Sequence, residues 1–131
     1  MAGLYLDTSA LGRVLLAEPD AVAIVGVLGE FDAWWSSALL VVELRRLAAR
    51  AEVQDPAERM LAGVRTQALD AASLQRASRI LPWEVRSLDA VHLEAAVALR
   101  ARGEVAAVLT YDRQLAAGCA HHGLPVRSPT A

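Results

Sequence analysis

Two apolar runs in this chain end on a carboxylate. GLYL is followed directly by Asp7, and VAAVLT is followed, after Tyr111, by Asp112. Glu43 interrupts ALLVVELRRLAAR, where its helical neighbours Leu39, Leu40 and Leu47 put it mostly on the apolar stripe. A carboxylate facing a core is costly unless it is paired or bound to a metal, and Arg46, one turn on, is an available partner. Asp89 opens RSLDAVHLEAAVALR, a place where acids are ordinary in a first helical turn and where Ser87 is a ready N-cap. Asp7 and Asp112 could equally be caps for the helices after them, although Thr8 or Ser9 could cap the first as well. Glu18, Asp20, Glu30, Asp32, Asp55, Glu58, Glu84 and Glu104 need no special role, because turns and helix starts explain them.

Four carboxylates aimed at one crevice would repel each other. Two unit charges about 4 Å apart cost roughly 4 kcal/mol at an effective dielectric near 20. Raised pKa values or bound cations relieve that repulsion. An oxygen-only donor set suits Mg²⁺ or Mn²⁺ rather than zinc, which prefers His and Cys. Carboxylate-held divalent ions that meet a phosphate are the arrangement of metal-assisted phosphodiester hydrolysis.

For this chemistry to operate, the fold must bring the four together. The chain alternates short apolar strands with helical segments. Strands are expected at Gly3–Leu6, Phe31–Ser37, Ala68–Leu69, Val105–Thr110 and Leu124–Arg127. Helices are expected at Ser9–Leu16, Asp20–Gly29, Leu39–Glu52, Pro56–Thr66, Ala71–Arg79, Ser87–Arg102 and Arg113–Gly118. Strands that lack polar alternation and are separated by helices indicate an α/β fold with a mainly parallel sheet buried on both faces. Ligands of such sheets bind outside the carboxyl ends of the strands, where Asp7 and Asp112 both fall.

At 131 residues the chain fits one domain, residues 1–131, and can bury a core without disulfide or structural metal. The balance of 13 basic against 15 acidic residues excludes a broadly basic nucleic-acid binder, so a polyanion would have to be attracted by something other than net charge. All the basic residues are Arg, which excludes Schiff-base chemistry and the lysine of a nucleotide-binding P-loop. A lone Cys119 forms no internal disulfide and fits a reducing compartment. The N-terminus is no signal peptide, and AWWSSALLVV is too short to cross a bilayer, so a cytoplasmic protein with no membrane partner is expected.

Taken together, LYLDTSAL, VVELRRL, SLDAVHLEAAVALR and VLTYDRQL…GLPV resemble the PIN-domain ribonucleases, most closely the VapC-type toxins of bacterial toxin–antitoxin pairs. The likeness extends over essentially the whole chain, with the four acidic positions in family order. It implies a three-layer α/β/α sandwich, a Mg²⁺- or Mn²⁺-dependent endoribonuclease acting on an RNA substrate, a cognate VapB-like antitoxin and a homodimer. Carried over, it makes Asp7, Glu43, Asp89 and Asp112 the catalytic, metal-binding carboxylates, with Ser9 and Thr110 as hydroxyl donors that orient them.

Several residues invite a role and are given a plainer one. His92, one turn after Asp89, reads as a packed or half-exposed helix histidine, and His121 and His122 as solvated neighbours. Trp34 and Trp35 alternate faces on a strand, so one should enter the core and the other is open to an interface or a base stack. Arg13, Arg45, Arg46 and Arg86 could touch phosphate or form ion pairs. Among competing functions, an aspartyl-nucleophile phosphatase would need a second aspartate where Ser9 stands, and a lysine. A PIN-like module that binds or regulates without significant nuclease activity is the non-enzymatic alternative.

Overall fold

The computed structural model describes residues 2–131. Five strands form one sheet: β1 (Gly3–Leu6), β2 (Ala33–Ser37), β3 (Arg65–Gln67), β4 (Val105–Leu109) and β5 (Val126–Arg127). Their order is β3-β2-β1-β4-β5, and every pairing is parallel. Seven helices connect them: α1 (Thr8–Leu15), α2 (Ala21–Leu28), α3 (Leu39–Ala51), α4 (Gln54–Ala62), α5 (Ala71–Ala77), α6 (Ser87–Ala101) and α7 (Arg113–His121).

Alternation along the central strands sorts the side chains into two cores. Leu4 and Leu6 of β1 join Ala107 and Leu109 of β4 in a cluster with residues of α1, α2, α3 and α4. Tyr5, Val105 and Val108 point to the other face, against Leu93, Ala96 and Leu99 of α6 and Leu115 and Cys119 of α7. The expected three-layer α/β/α sandwich is therefore what forms, and the sheet is wholly rather than mainly parallel. Trp34 packs on the first core and Trp35 on the second, so both tryptophans are partly buried.

The register between β1 and β4 slips once, so that Gly3 pairs Val105 while Leu4 pairs Ala107. Gly3 sits where the backbone comes closest: a Cβ there would stand 2.5 Å from the Glu104 carbonyl oxygen, which accepts the Gly3 N–H at 3.0 Å. The slip lets Leu6 meet Leu109 in register and brings the two strand ends level.

The largest departure from the sequence reading lies between residues 54 and 69. The helix expected through Thr66 stops at Ala62, with Gly63 as its C-cap, and Pro56 lies in its first turn, where a missing N–H costs nothing. The third strand is Arg65–Gln67, paired with Trp35–Ser37, and not Ala68–Leu69. Arg65 and Thr66 are exposed on this edge strand, so no apolar run marks it. Phe31 likewise packs against the first core without entering the ladder, which begins at Ala33.

Candidate active site

Strand order reverses beside β1: β2 follows on one side, and β4, from much later in the chain, on the other. The crevice beyond the carboxyl ends at such a switch point is where open parallel sheets bind ligands. Asp7 leaves β1 there and Asp112 follows β4. The two strand ends are tied by Asp7 N–H donating to the Leu109 carbonyl at 3.3 Å.

Asp7 is almost fully buried and its oxygens are committed to named donors. Oδ1 accepts from the Ser9 hydroxyl at 2.7 Å and the Ala10 N–H at 3.3 Å, and Oδ2 accepts from the Thr110 hydroxyl at 2.7 Å. Asp7 is thus the cap of α1, while Thr8 and Ser9, the other candidates for that task, turn their hydroxyls to carboxylates. Burial raises the Asp7 carboxyl above its ordinary value, and the bonds from Ser9 and Thr110 offset only part of that rise. Ser9 also accepts the Tyr111 N–H at 2.9 Å, and Thr110 accepts the Asp112 N–H at 3.0 Å. The two hydroxyls thereby knit the ends of β1 and β4 together. Asp112 caps α7 through its Oδ1, which takes the Leu115 N–H at 2.9 Å.

Glu43 reaches the same region from α3. Its Oε1 accepts from the Thr8 hydroxyl at 2.6 Å and meets His92 Nε2 at 2.8 Å. Arg46, the partner offered by sequence, does not pair with it; the pairing is with α1 and α6 instead. Burial works against the charge of Glu43, but the bonds from His92 and Thr8 outweigh it and hold the carboxyl below its ordinary range.

Asp89 stands in the first turn of α6, one turn before His92, and the cap of that helix is Arg86 rather than Ser87, with no side-chain bond. Burial lifts the Asp89 carboxyl to about 6, and the Asp112 charge adds to the rise; His92 opposes it, and Asp7 and Glu43 contribute further repulsion. Asp89 therefore feels each of the other three carboxylates.

His92, Tyr5 and Thr8 belong to this site although sequence reasoning gave them no part in it. His92 is 2% exposed, its Nδ1 lies 2.7 Å from the Tyr5 hydroxyl, and that hydroxyl accepts the Ser37 N–H at 3.0 Å. The spacing of Asp89 and His92 on one helical face was the available signal; the partners of His92, Tyr5 and Glu43, lie on other elements and leave no local trace. Of the arginines, Arg13 pairs with Asp20 and lies over the Tyr111 ring, and Arg45 pairs with Glu58. His122 bonds the Leu81 carbonyl. Cys119 is a buried free thiol, pushed up to about 12 by burial with a small addition from Asp7.

Chemically this set suits a hard divalent cation: the donors are carboxylate oxygens, and Asp89 is raised by burial first and then by like charges that a cation would neutralise. Among the described residues no three acidic, His or Cys side chains stand close enough to form a closed cage. Mg²⁺ does not require one, because it commonly keeps several waters and takes one or two carboxylates with the substrate's phosphate.

Comparison with known proteins gives a consistent picture. The family model described as PIN domain matches residues 4–126. Ribonuclease VapC47 of Mycobacterium tuberculosis (strain CDC 1551 / Oshkosh) is 36% identical over 135 residues, covering 98% of each chain. Ribonuclease VapC46 of M. tuberculosis (strain ATCC 25618 / H37Rv) is 33% identical over 132 residues, 99% of this chain and 100% of the other. Ribonuclease VapC35, from both strains, is 31% identical over 130 residues and 96% of each chain.

Proposed function

This chain belongs to the PIN-domain family, and from that premise we propose that it is a divalent-metal-dependent endoribonuclease, the toxin of a toxin–antitoxin module. The observation that carries the proposal is the placement of Asp7 and Asp112 at the switch point, with Asp89 raised by burial and, after it, by the charges of Asp112, Asp7 and Glu43. The relatives named ribonuclease match along nearly their full length, which supports the same activity for the whole chain. The substrate is RNA, and the partner is a cognate VapB-like antitoxin that covers the crevice. A homodimer is the expected assembly. No helix among the described residues is long and apolar enough to cross a membrane.

In this reading Asp7 and Asp89 hold Mg²⁺ or Mn²⁺ directly, and Asp112 completes that site or shares a second one. A bound ion would lower the pKa of its water and offset charge on the phosphate and leaving oxygen. The chain's own groups do the rest. Glu43, held ionised, orients the attacking water and accepts its hydrogen bond. Ser9 and Thr110 fix the Asp7 carboxylate, and with Ala10 N–H on Oδ1 as well they leave one acceptor site, on Oδ2, for the ion. Carboxylates without a basic surplus would repel RNA, so approach of the phosphate depends on the cation they hold.

The test is incubation of the purified chain with total cellular RNA, with and without Mg²⁺, followed by mapping of new 5′ ends. Metal-dependent ends that disappear with Asp89→Asn are expected. A binding or regulatory module is the second reading, favoured by the absence of a closed cage among the described residues. It would give no new ends and no Mg²⁺-dependent heat in calorimetry.

A further inference from the structure

A buried chain of hydrogen bonds ends on Glu43 and is not used by the proposed hydrolysis itself. It begins at the Ser37 N–H, just where β2 finishes. That group can only donate, so the Tyr5 oxygen accepts it at 3.0 Å. The Tyr5 hydroxyl then meets His92 Nδ1, 2.7 Å away. Glu43, an ionised carboxylate, can only accept, so His92 Nε2 must carry a proton across the 2.8 Å to Oε1. The contact with Glu43 therefore fixes a proton on Nε2, and Nδ1 and the Tyr5 hydroxyl share a hydrogen bond in either direction. Tyr5 is fully buried and His92 nearly so, which leaves no room for solvent to substitute for either partner.

The chain's end matters as much as its path. The His92 Nε2–H and the Thr8 hydroxyl both donate to the same oxygen, Oε1, from α6 and α1 respectively. No hydrogen bond among the described residues reaches Oε2, and the Glu43 side chain keeps 26% of its exposure. Two donors on one oxygen fix the rotation of the carboxylate and leave the other oxygen without a hydrogen-bond partner among the described residues. Glu43 sits on a long, flexible side chain, whose rotamer freedom would otherwise be lost at the moment of reaction.

We propose that Tyr5 and His92 are positioning residues: through the Ser37–Tyr5–His92–Glu43 chain they hold Oε1 and present Oε2 of Glu43 to the crevice. The proposal rests on the ribonuclease reading for its consequence in rate, but not for the chain itself. Groups that orient a ligand carboxylate or its neighbours are generally worth about 10–100-fold in activity. Tyr5→Phe keeps the ring packing and removes only the hydroxyl, and His92→Gln keeps a donor that His92→Leu lacks.

The experiment combines kinetics with nitrogen NMR of the imidazoles in the full chain. With an RNA oligonucleotide cleaved by the wild type, Tyr5→Phe and His92→Leu should lower kcat by about 10–100-fold with KM little changed, and His92→Gln should recover part of the loss. On a Glu43→Gln background Tyr5→Phe should cost nothing further, because its effect passes through Glu43. Wild-type kcat in both single variants, or an undiminished loss on the Glu43→Gln background, overturns the proposal. A wild type that cleaves no RNA defeats the ribonuclease reading instead, and the NMR arm then decides alone. It should show a proton on His92 Nε2 and an Nδ1 signal moved by Tyr5→Phe. A bare Nε2, or a spectrum indifferent to Tyr5, would disprove the chain.

Discussion

Asp7 and Asp89 would carry the same formal role, yet their surroundings make them respond differently to mutation. Asp7 accepts three hydrogen bonds in a buried site. Asp7→Asn places an amide where donors already point, and it should cost about 1–3 kcal/mol of stability by urea unfolding as well as cleavage. Asp89 receives repulsion and few bonds, so Asp89→Asn should abolish Mg²⁺-dependent cleavage while raising the melting temperature of the metal-free chain. The pH dependence has a definite sign. A carboxyl raised from 3.8 to about 6 binds more protons in the folded chain than in the unfolded one between those values. Stability from this group is therefore present at low pH and lost as pH rises through 6. Asp89→Asn should accordingly stabilise the chain more at pH 7.5 than at pH 4.5; a gain that is equal at both would contradict the assigned cause. Here the sequence was informative about the acids and, through the family resemblance, about Ser9 and Thr110, but silent about the partners of Glu43. A carboxylate after an apolar strand is visible in one dimension, whereas Thr8 and His92 converge on Glu43 across 35 and 49 residues.

At the scale of elements, the site depends on β1 and β4 ending level. The slip at Gly3 sets that alignment, and a side chain there meets backbone rather than a movable neighbour. Gly3→Ala should cost about 1–3 kcal/mol, the usual range for overpacking. Gly118→Ala presses at 2.8 Å on the end of the Leu93 side chain, which can rotate away, so it should cost less in the same denaturation series. A larger loss at Gly118 would mean that α6–α7 packing, not the strand junction, is the less tolerant contact. The central strands and the long helices were legible because their burial is continuous: Leu4, Tyr5 and Leu6 are all fully buried. β3 was placed three residues too late, since an exposed RTQ carries no hydrophobic signal and Met60, Leu61 and Val64 prolong a helical pattern past Gly63. The pairing that makes Arg65–Gln67 a strand comes from β2.

For the whole molecule, the decisive quantity is the charge in the crevice rather than the net charge of −2. Folding gathers acids that would stay apart in the unfolded chain, so the metal-free fold bears a repulsion that the unfolded state lacks. A cation that binds only the folded chain adds RT ln(1 + [L]/Kd), about 2.7 kcal/mol at a hundredfold excess over Kd. Mg²⁺ should therefore raise the melting temperature of the wild type by several degrees and leave Asp89→Asn nearly unmoved. Association with RNA should follow the same ion. Arg13 and Arg45 are engaged by Asp20 and Glu58, whereas Arg46, which lines a pocket with Glu43, and Arg86, at the head of α6, form no ion pair among the described residues. Fluorescence anisotropy with a labelled RNA should show weak binding in EDTA, tight binding in Mg²⁺, and no such difference for Asp89→Asn. Equal affinity in EDTA would place the attraction on arginines and remove the cation from the binding step.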